Sequence, residues 1–243
     1  MTSPREADRR RRVPQATVSR LPLYLRALAD LADARVTTVS SDALAAETGV
    51  KAANVRKDLS HLGSFGVRGA GYDVEVLLGR IAQELGVNQD RSVLIVGVGN
   101  LGRALANYGG FPSKGFRVVA LLDADPAKVG EVVAGMPIRP LDDLAAVAEA
   151  RCPAIAVIAT PAPAAQDVAD RLVAVGITSI LNFAPTLVQV QRGVSLRQVD
   201  LSTELQILSF YQRRRDQGLS TPPEGLPALR SRPEPGTGQV SSF

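Results

Sequence analysis

The 243-residue chain has no tryptophan, one cysteine, one histidine and two methionines, and aromatics make up only 4% of it. A single cysteine forms no internal disulfide, which fits a reducing compartment and leads us to expect a cytoplasmic protein. One His and one Cys also exclude a His/Cys zinc site within a chain, so no metal is expected. Long apolar runs are missing too. The longest, around Val93–Val98 and Ala154–Ala159, fall far short of the ~18 residues that a membrane span needs, and no membrane partner is expected. Met1–Arg12 has no apolar core, so it does not read as a secretory signal. An apolar fraction of 45% with 21% charged residues excludes wholesale disorder, and the length allows one or two domains.

The chain changes character along its length. Residues 1–12, with Arg9–Arg12 in a row, read as a disordered arm. Residues 13–88 are helical in pattern, and 89–200 alternate strand and helix signals. Residues 201–217 carry one more helix, and 218–243 hold Pro222, Pro223, Pro227, Pro233 and Pro235 among Gly and Ser, as a disordered tail does. In the helical part, Ser19 is placed to cap a helix bearing Leu21, Leu25, Leu28 and Leu31, with Pro22 in its first turn. Ser41 opens a second helix that Gly49 closes, and a third runs over 52–62. The segment from Gly63 to Tyr72 alternates apolar residues with glycines, as a hairpin does. Three helices and a hairpin describe a winged helix-turn-helix. Strands at 93–96, 118–122, 154–160 and 179–183, with helices at 101–109, 141–150 and 164–175 between them, describe a doubly wound parallel sheet. The expected fold is therefore α/β, a winged helix-turn-helix domain followed by a Rossmann-type domain.

Gly97-Val-Gly-Asn-Leu-Gly102 is a GxGxxG in the right context, because it follows the strand Ser92–Val96 and opens a helix. Gly97 allows the tight turn, Gly99 lets a pyrophosphate approach the backbone, and Gly102 allows close packing of helix on strand. A second strand ends in Asp123, 21 residues past Gly102, where a carboxylate accepts hydrogen bonds from ribose hydroxyls and repels a 2′-phosphate. That selects NAD(H). A hydride-transfer enzyme also needs a proton donor or acceptor at the nicotinamide. The one histidine, His61, lies in the helical half, no lysine follows Lys128, and Cys152 precedes Pro153 in what reads as a packing position. Tyr108 has no evident basic partner. A cofactor site without catalytic equipment points to a sensor.

Helix 52–62 supplies the second activity. With Val55, Leu59 and Leu62 inward, Asn54, Arg56, Lys57, Ser60 and His61 face outward, and Lys51 precedes them. Arg and Lys pair with guanine or phosphate, and Asn with adenine or phosphate. Arg68 beside Gly69 suits a wing tip entering a narrow A·T-rich minor groove. The C-terminal helix, capped by Ser202, aligns Leu201, Leu205, Leu208 and Tyr211 on one face.

Together these stretches resemble the Rex family of redox-sensing repressors. The residues that carry the resemblance are Val13–Ala16, Arg20–Arg26, Val55–Gly66, Gly97–Gly102 with Tyr108, and Asn182–Pro185, and the match covers roughly 13–212. The resemblance implies a homodimer with a C-terminal helix swapped between subunits, and an operator that is released when NADH binds. It extends the cofactor contacts to Val98, Asn100 and Leu101 in the glycine loop and to Thr160, Pro161, Asn182, Phe183 and Ala184. It also implies a switch in which Arg26 pairs with Asp200 in the DNA-bound state while Tyr108 responds to the nicotinamide. The expected partners are a palindromic, AT-rich operator, a second copy of the chain, and NADH or NAD⁺ as effectors rather than reactants. Two alternatives stand beside this reading: an NAD-dependent dehydrogenase, weakened by the missing acid/base group, and a CoA-binding Rossmann protein, which Asp123 argues against. A thiol switch at Cys152 lacks a resolving partner.

Overall fold

A computed structural model describes residues 13–63, 66–67 and 71–218. The expected arm, the tail beyond Gly218, and Arg68 and Gly69 lie outside the described residues. The chain divides between Leu85 and Gly86 into two compact units.

The first unit contains α1 (Gln15–Val18), α2 (Leu21–Asp33), α3 (Ser41–Thr48), α4 (Ala52–Leu62) and α5 (Val74–Leu85). Leu21, Tyr24 and Leu28 of α2 meet Leu44 of α3, Val55, Leu59 and Leu62 of α4, and Val74, Leu77 and Ile81 of α5 in one core. The strands β1 (Thr38–Val39), β2 (Gly66–Val67) and β3 (Gly71–Asp73) form an antiparallel sheet in the order β1-β3-β2. The hairpin is the expected one. Helices α1 and α5 and the strand β1 extend the expected set, and β1 is too short at two residues to announce itself. Gly49 ends α3 at φ 68°, the left-handed turn that lets α4 follow at once.

The expected caps move. Ser19 sits in helical backbone, and its hydroxyl donates to Ala16 O at 2.9 Å instead of starting α2. Ser40, not Ser41, caps α3: its extended backbone lets Oγ accept the Ala43 N–H at 3.0 Å, while Ser41 is buried inside the helix.

The second unit holds a seven-stranded sheet: β4 (Arg91–Val96), β5 (Phe116–Asp123), β6 (Val132–Val133), β7 (Met136–Pro140), β8 (Ile155–Ile158), β9 (Ser179–Asn182) and β10 (Ser195–Gln198). Their order is β10-β9-β8-β4-β5-β7-β6, and every pairing is parallel except β6 with β7. Helices α6 (Asn100–Ala106), α7 (Leu144–Arg151) and α8 (Ala165–Ala174) alternate with the strands. The apolar run of β4 is explained by burial on both faces. Leu94 and Val96 join one core with Ile158, Val168 and Leu172, while Val93 and Ile95 join another with Leu121 and Ile138. The strand order reverses at β4, so a crevice opens at the C-terminal ends of β4 and β8. Strand β7, between β5 and the edge strand β6, carries two prolines and one buried residue, Ile138, and so gives little apolar signal.

Helix α9 (Leu201–Asp216) closes the described chain. Asp200 caps it rather than Ser202, accepting the Ser202 N–H at 2.9 Å. The apolar face is on the outside: Leu205 is 67% exposed and Phe210 54%. Cys152 is likewise not a packing residue. It is exposed, in left-handed backbone at the end of α7, because Pro153 forces the helix to stop there. Among the described residues no helix is long and apolar enough to cross a membrane.

Candidate functional site

The turn between β4 and α6 is built as the glycine pattern requires. A Cβ on Gly102 would lie 2.0 Å from Gly97 O, and one on Gly97 would lie 2.7 Å from Ala159 O. A Cβ on Gly99 would meet nothing within 4 Å, so this glycine keeps open the space above the loop. Gly97 and Gly102 thus hold the loop against β8 and α6, whereas Gly99 leaves room for a ligand.

That space belongs to a cleft of about 540 Å³ lined by Gly97, Gly99, Leu101, Asp123, Thr160, Pro161 and Phe183 among others. Seven expected cofactor residues therefore share one cleft. Val98 is buried beneath it, Asn100 is the exposed first residue of α6, and Gly102 is packed against Gly97. Asn182 and Ala184 are buried and do not line it. The Asn182 side chain donates to Gln198 Oε1 at 2.7 Å and Thr186 O at 3.1 Å and accepts the Ala184 N–H at 2.9 Å. It shapes the loop that presents Phe183. Thr160, one of the residues that line this cleft, carries the one buried side-chain polar atom without a partner among the described residues, its Oγ1. An unpartnered hydroxyl beside an open glycine loop fits a polar, phosphate-bearing ligand.

Asp123 is engaged. It is 6% exposed, and its carboxylate accepts from Val98 N at 2.7 Å, Asp125 N at 2.9 Å and Lys128 Nζ at 3.2 Å. Burial alone would raise its pKa, but these donors outweigh burial and hold it below the ordinary value. Lys128 and Arg171 also line the cleft, and the sequence reading missed both. The signal for Lys128 was available in Asp123-Ala-Asp-Pro-Ala-Lys128, a turn that folds the lysine back onto the strand end. Arg171 lies in the last turn of α8, and its position follows only from how that helix packs. Tyr108 lies just past α6, half exposed, edge-on to Phe111 with ring centroids 5.1 Å apart.

In the first unit, Lys51, Asn54, Arg56, Lys57, Ser60 and His61 are all exposed on or before α4. Arg56 reaches back to donate to Ser41 Oγ at 2.9 Å. Arg26 is exposed on α2. The one acid in the sequence of α4, Asp58, is not on this basic surface. It is 1% exposed and bound by Arg20, Tyr24 and Thr17. Its charge is cancelled inside the unit, which leaves the outer face of α4 basic. Among the described residues no cluster of His, Cys, Asp and Glu could hold a metal ion.

A helix-turn-helix with a strand-paired wing, joined in one chain to a doubly wound sheet with a dinucleotide-type glycine loop, defines a ligand-responsive DNA-binding regulator. The comparisons make this specific. The model of a putative DNA-binding protein N-terminus matches residues 12–60, and that of a CoA binding domain matches 88–186. The chain is 57% identical to the redox-sensing transcriptional repressor Rex of Streptomyces avermitilis, over 94% of this chain and 90% of the relative. It is similar to the Rex-family repressor RSP in complex with β-NAD⁺ and operator DNA, at 34% identity and a TM-score of 0.80, covering 85% of this chain and 94% of RSP. The complex of RSP with β-NADH is similar at 33% identity and a TM-score of 0.75, covering 84% of this chain and 96% of RSP. The chain belongs to the Rex family of redox-sensing transcriptional repressors. Membership makes it a regulator and not an enzyme, which sets the dehydrogenase alternative aside.

Proposed function

We propose that this chain represses transcription by binding an operator through its winged-helix domain and releases it when NADH occupies the cleft at the ends of β4 and β8. The observation that carries the reading is the pairing of an exposed basic helix α4 with a glycine-loop cleft whose Thr160 hydroxyl lacks a partner. RSP, at 34% identity, is solved with β-NAD⁺ and operator DNA together.

Lys51, Asn54, Arg56, Lys57, Ser60 and His61, with Arg68 and Gly69 of the wing, are the proposed DNA contacts. Gly97, Val98, Gly99, Asn100, Leu101, Gly102, Asp123, Thr160, Pro161, Asn182, Phe183 and Ala184 form the proposed dinucleotide site. Of these, Asn182, Val98 and Ala184 act by shaping the loops. The proposed domains are 13–88, 89–200 and the helix 201–217, between an arm at 1–12 and a tail at 218–243. NADH carries an uncharged nicotinamide and NAD⁺ a cationic one, so an apolar wall such as Phe183 separates the two by desolvation.

The working unit is a cytoplasmic homodimer on an AT-rich palindrome. The exposed apolar face of α9 supports a partner subunit, and a swapped α9 gives that face a place to bury. A dimer reads two half-sites at fixed spacing, so a change in subunit geometry breaks simultaneous contact. Arg26 and Asp200 are the proposed pair of the DNA-bound state, with Tyr108 serving the NADH-bound one. The test is fluorescence anisotropy on an AT-rich palindromic duplex with NADH and NAD⁺ titrated separately. Release by NADH and retention with NAD⁺ support the reading, and indifference to both overturns it. The match of 88–186 to a CoA binding domain favours one second reading, CoA as the effector, and titrating CoA in the same assay decides it.

A further inference from the structure

Helix α4 is held from behind by something more directional than its apolar stripe. Asp58 projects inward from it and each carboxylate oxygen accepts two hydrogen bonds. Oδ1 accepts from Thr17 Oγ1 at 2.7 Å and Arg20 Nη2 at 2.8 Å. Oδ2 accepts from Arg20 Nε at 2.6 Å and Tyr24 Oη at 2.7 Å. The donors come from α1, from the residue preceding α2, and from α2 itself. All the acceptor sites of the carboxylate are filled, which makes this a complete buried network.

The apolar contacts of α4 do not require this. Val55, Leu59 and Leu62 are already buried against α2, α3 and α5, and dispersion contacts are non-directional, so they tolerate a small roll of the helix. Charge-assisted hydrogen bonds do not tolerate it, because their geometry narrows to a few tenths of an ångström. At about 100° per residue, Asp58 stands at the edge of the apolar stripe, and Asn54, Lys57 and His61 follow it on one side within about 100° of arc. A roll of about 20° would move a side-chain tip roughly 6 Å from the axis by about 2 Å. That exceeds the distance window of a hydrogen bond to a base edge, but not the reach of a flexible lysine toward a phosphate.

We infer that Asp58 is a positioning residue for sequence reading: held by Thr17, Arg20 and Tyr24, it sets the roll of α4 and hence the discrimination of operator from non-specific DNA. The inference rests on the DNA-binding reading above and names the regulation of that same surface. Buried ion pairs contribute little net stability against well-packed apolar replacements, so the network is better explained by geometry than by stability.

The experiment uses the full chain and three proteins: wild type, Tyr24→Phe, and the combined variant Arg20→Met/Tyr24→Phe/Asp58→Leu. Each is measured for thermal midpoint, NADH affinity, and affinity for an operator duplex and a scrambled duplex of equal length. The expected result is a folded combined variant with wild-type NADH affinity and scrambled-duplex affinity, whose operator preference falls roughly ten- to hundredfold. Tyr24→Phe, which removes one of four bonds, falls between it and the wild type. A folded combined variant, or a folded Tyr24→Phe if the combination fails to fold, that keeps the full operator preference overturns the inference. Equal loss on both duplexes also overturns it, since that marks a purely structural role. A wild type without operator preference would instead overturn the DNA-binding reading itself.

Discussion

The Asp123 carboxylate, at the end of β5, accepts the backbone N–H of Val98, in the glycine loop after β4, at 2.7 Å. The acid that the dinucleotide pattern places on a ribose is therefore also a structural tie across the mouth of the cleft. Replacing Asp123 with Ala leaves the Val98 and Asp125 amides without their acceptor, and removing a buried partner of this kind costs about 1–3 kcal/mol. We expect a lower thermal midpoint together with weaker binding of both NADH and NAD⁺, measured by calorimetry. A selective loss of one nucleotide would contradict it, because the loop serves both.

The middle and last glycines of the loop separate binding from folding. Gly102→Ala places a Cβ 2.0 Å from Gly97 O, so the variant must shift the loop or fail to fold. Gly99→Ala meets no protein atom within 4 Å and should melt like the wild type while binding dinucleotide at least tenfold more weakly. Thermal melts beside NADH titrations read both effects.

Lys57→Ala and Arg56→Ala should differ. Arg56 is tied to Ser41 on α3, so its removal also loosens the turn between α3 and α4. Lys57 has an exposed side chain on the outer face. Its loss should leave the melting temperature unchanged and weaken DNA binding, by about 1–3 kcal/mol and with relaxed specificity if it reads a base. If it contacts phosphate, the slope of affinity against salt drops by about one unit. Unchanged operator affinity in both variants would remove α4 from the interface.

Stability should fall in acid in a defined sense. Asp58 and Asp123 are both held below the ordinary value of 3.8, burial opposing and their hydrogen-bond donors prevailing. In the unfolded chain these groups take up protons first as pH drops, so the unfolded state binds more protons and stability rises with pH there. Their contribution is fully present above pH 3.8 and is lost as pH falls from that value through the depressed folded-state values. Urea melts of wild type, Asp58→Asn and Asp123→Asn between pH 6 and pH 2 should show a shallower acid slope in each variant.

Asp200 has two duties, and they are separable. It caps α9, accepting the Ser202 and Thr203 amides, and it is the proposed partner of Arg26. Asn is as good a cap as Asp but carries no charge. Asp200→Asn should keep the helical content by circular dichroism and still lower operator affinity, while Tyr108→Phe should chiefly blunt release by NADH. Operator affinity with and without saturating NADH isolates the coupling in each variant. Wild-type affinity and release in Asp200→Asn would mean that this pair is no switch.

Much of this protein is legible without coordinates, because its signals are local. Gly97–Gly102 after an apolar strand, the left-handed Gly49 between two short helices, and the inward Val55, Leu59 and Leu62 each follow from neighbours within a turn or two. The order of strands and helices then allows one doubly wound sheet with its crevice beside that glycine loop. What tertiary structure decided were the long-range partners. Asp58 reads as one more surface charge until Thr17, Arg20 and Tyr24, 34 to 41 residues away, are folded onto it. Asp123 reads as a free ribose acid until Val98 and Lys128 reach it. The caps at Ser40 and Asp200 were decided by backbone angles that residue type alone does not determine. Helical periodicity and turn chemistry are written in adjacent residues, whereas the state of a buried carboxylate depends on which distant donors the packed core brings within about 3 Å.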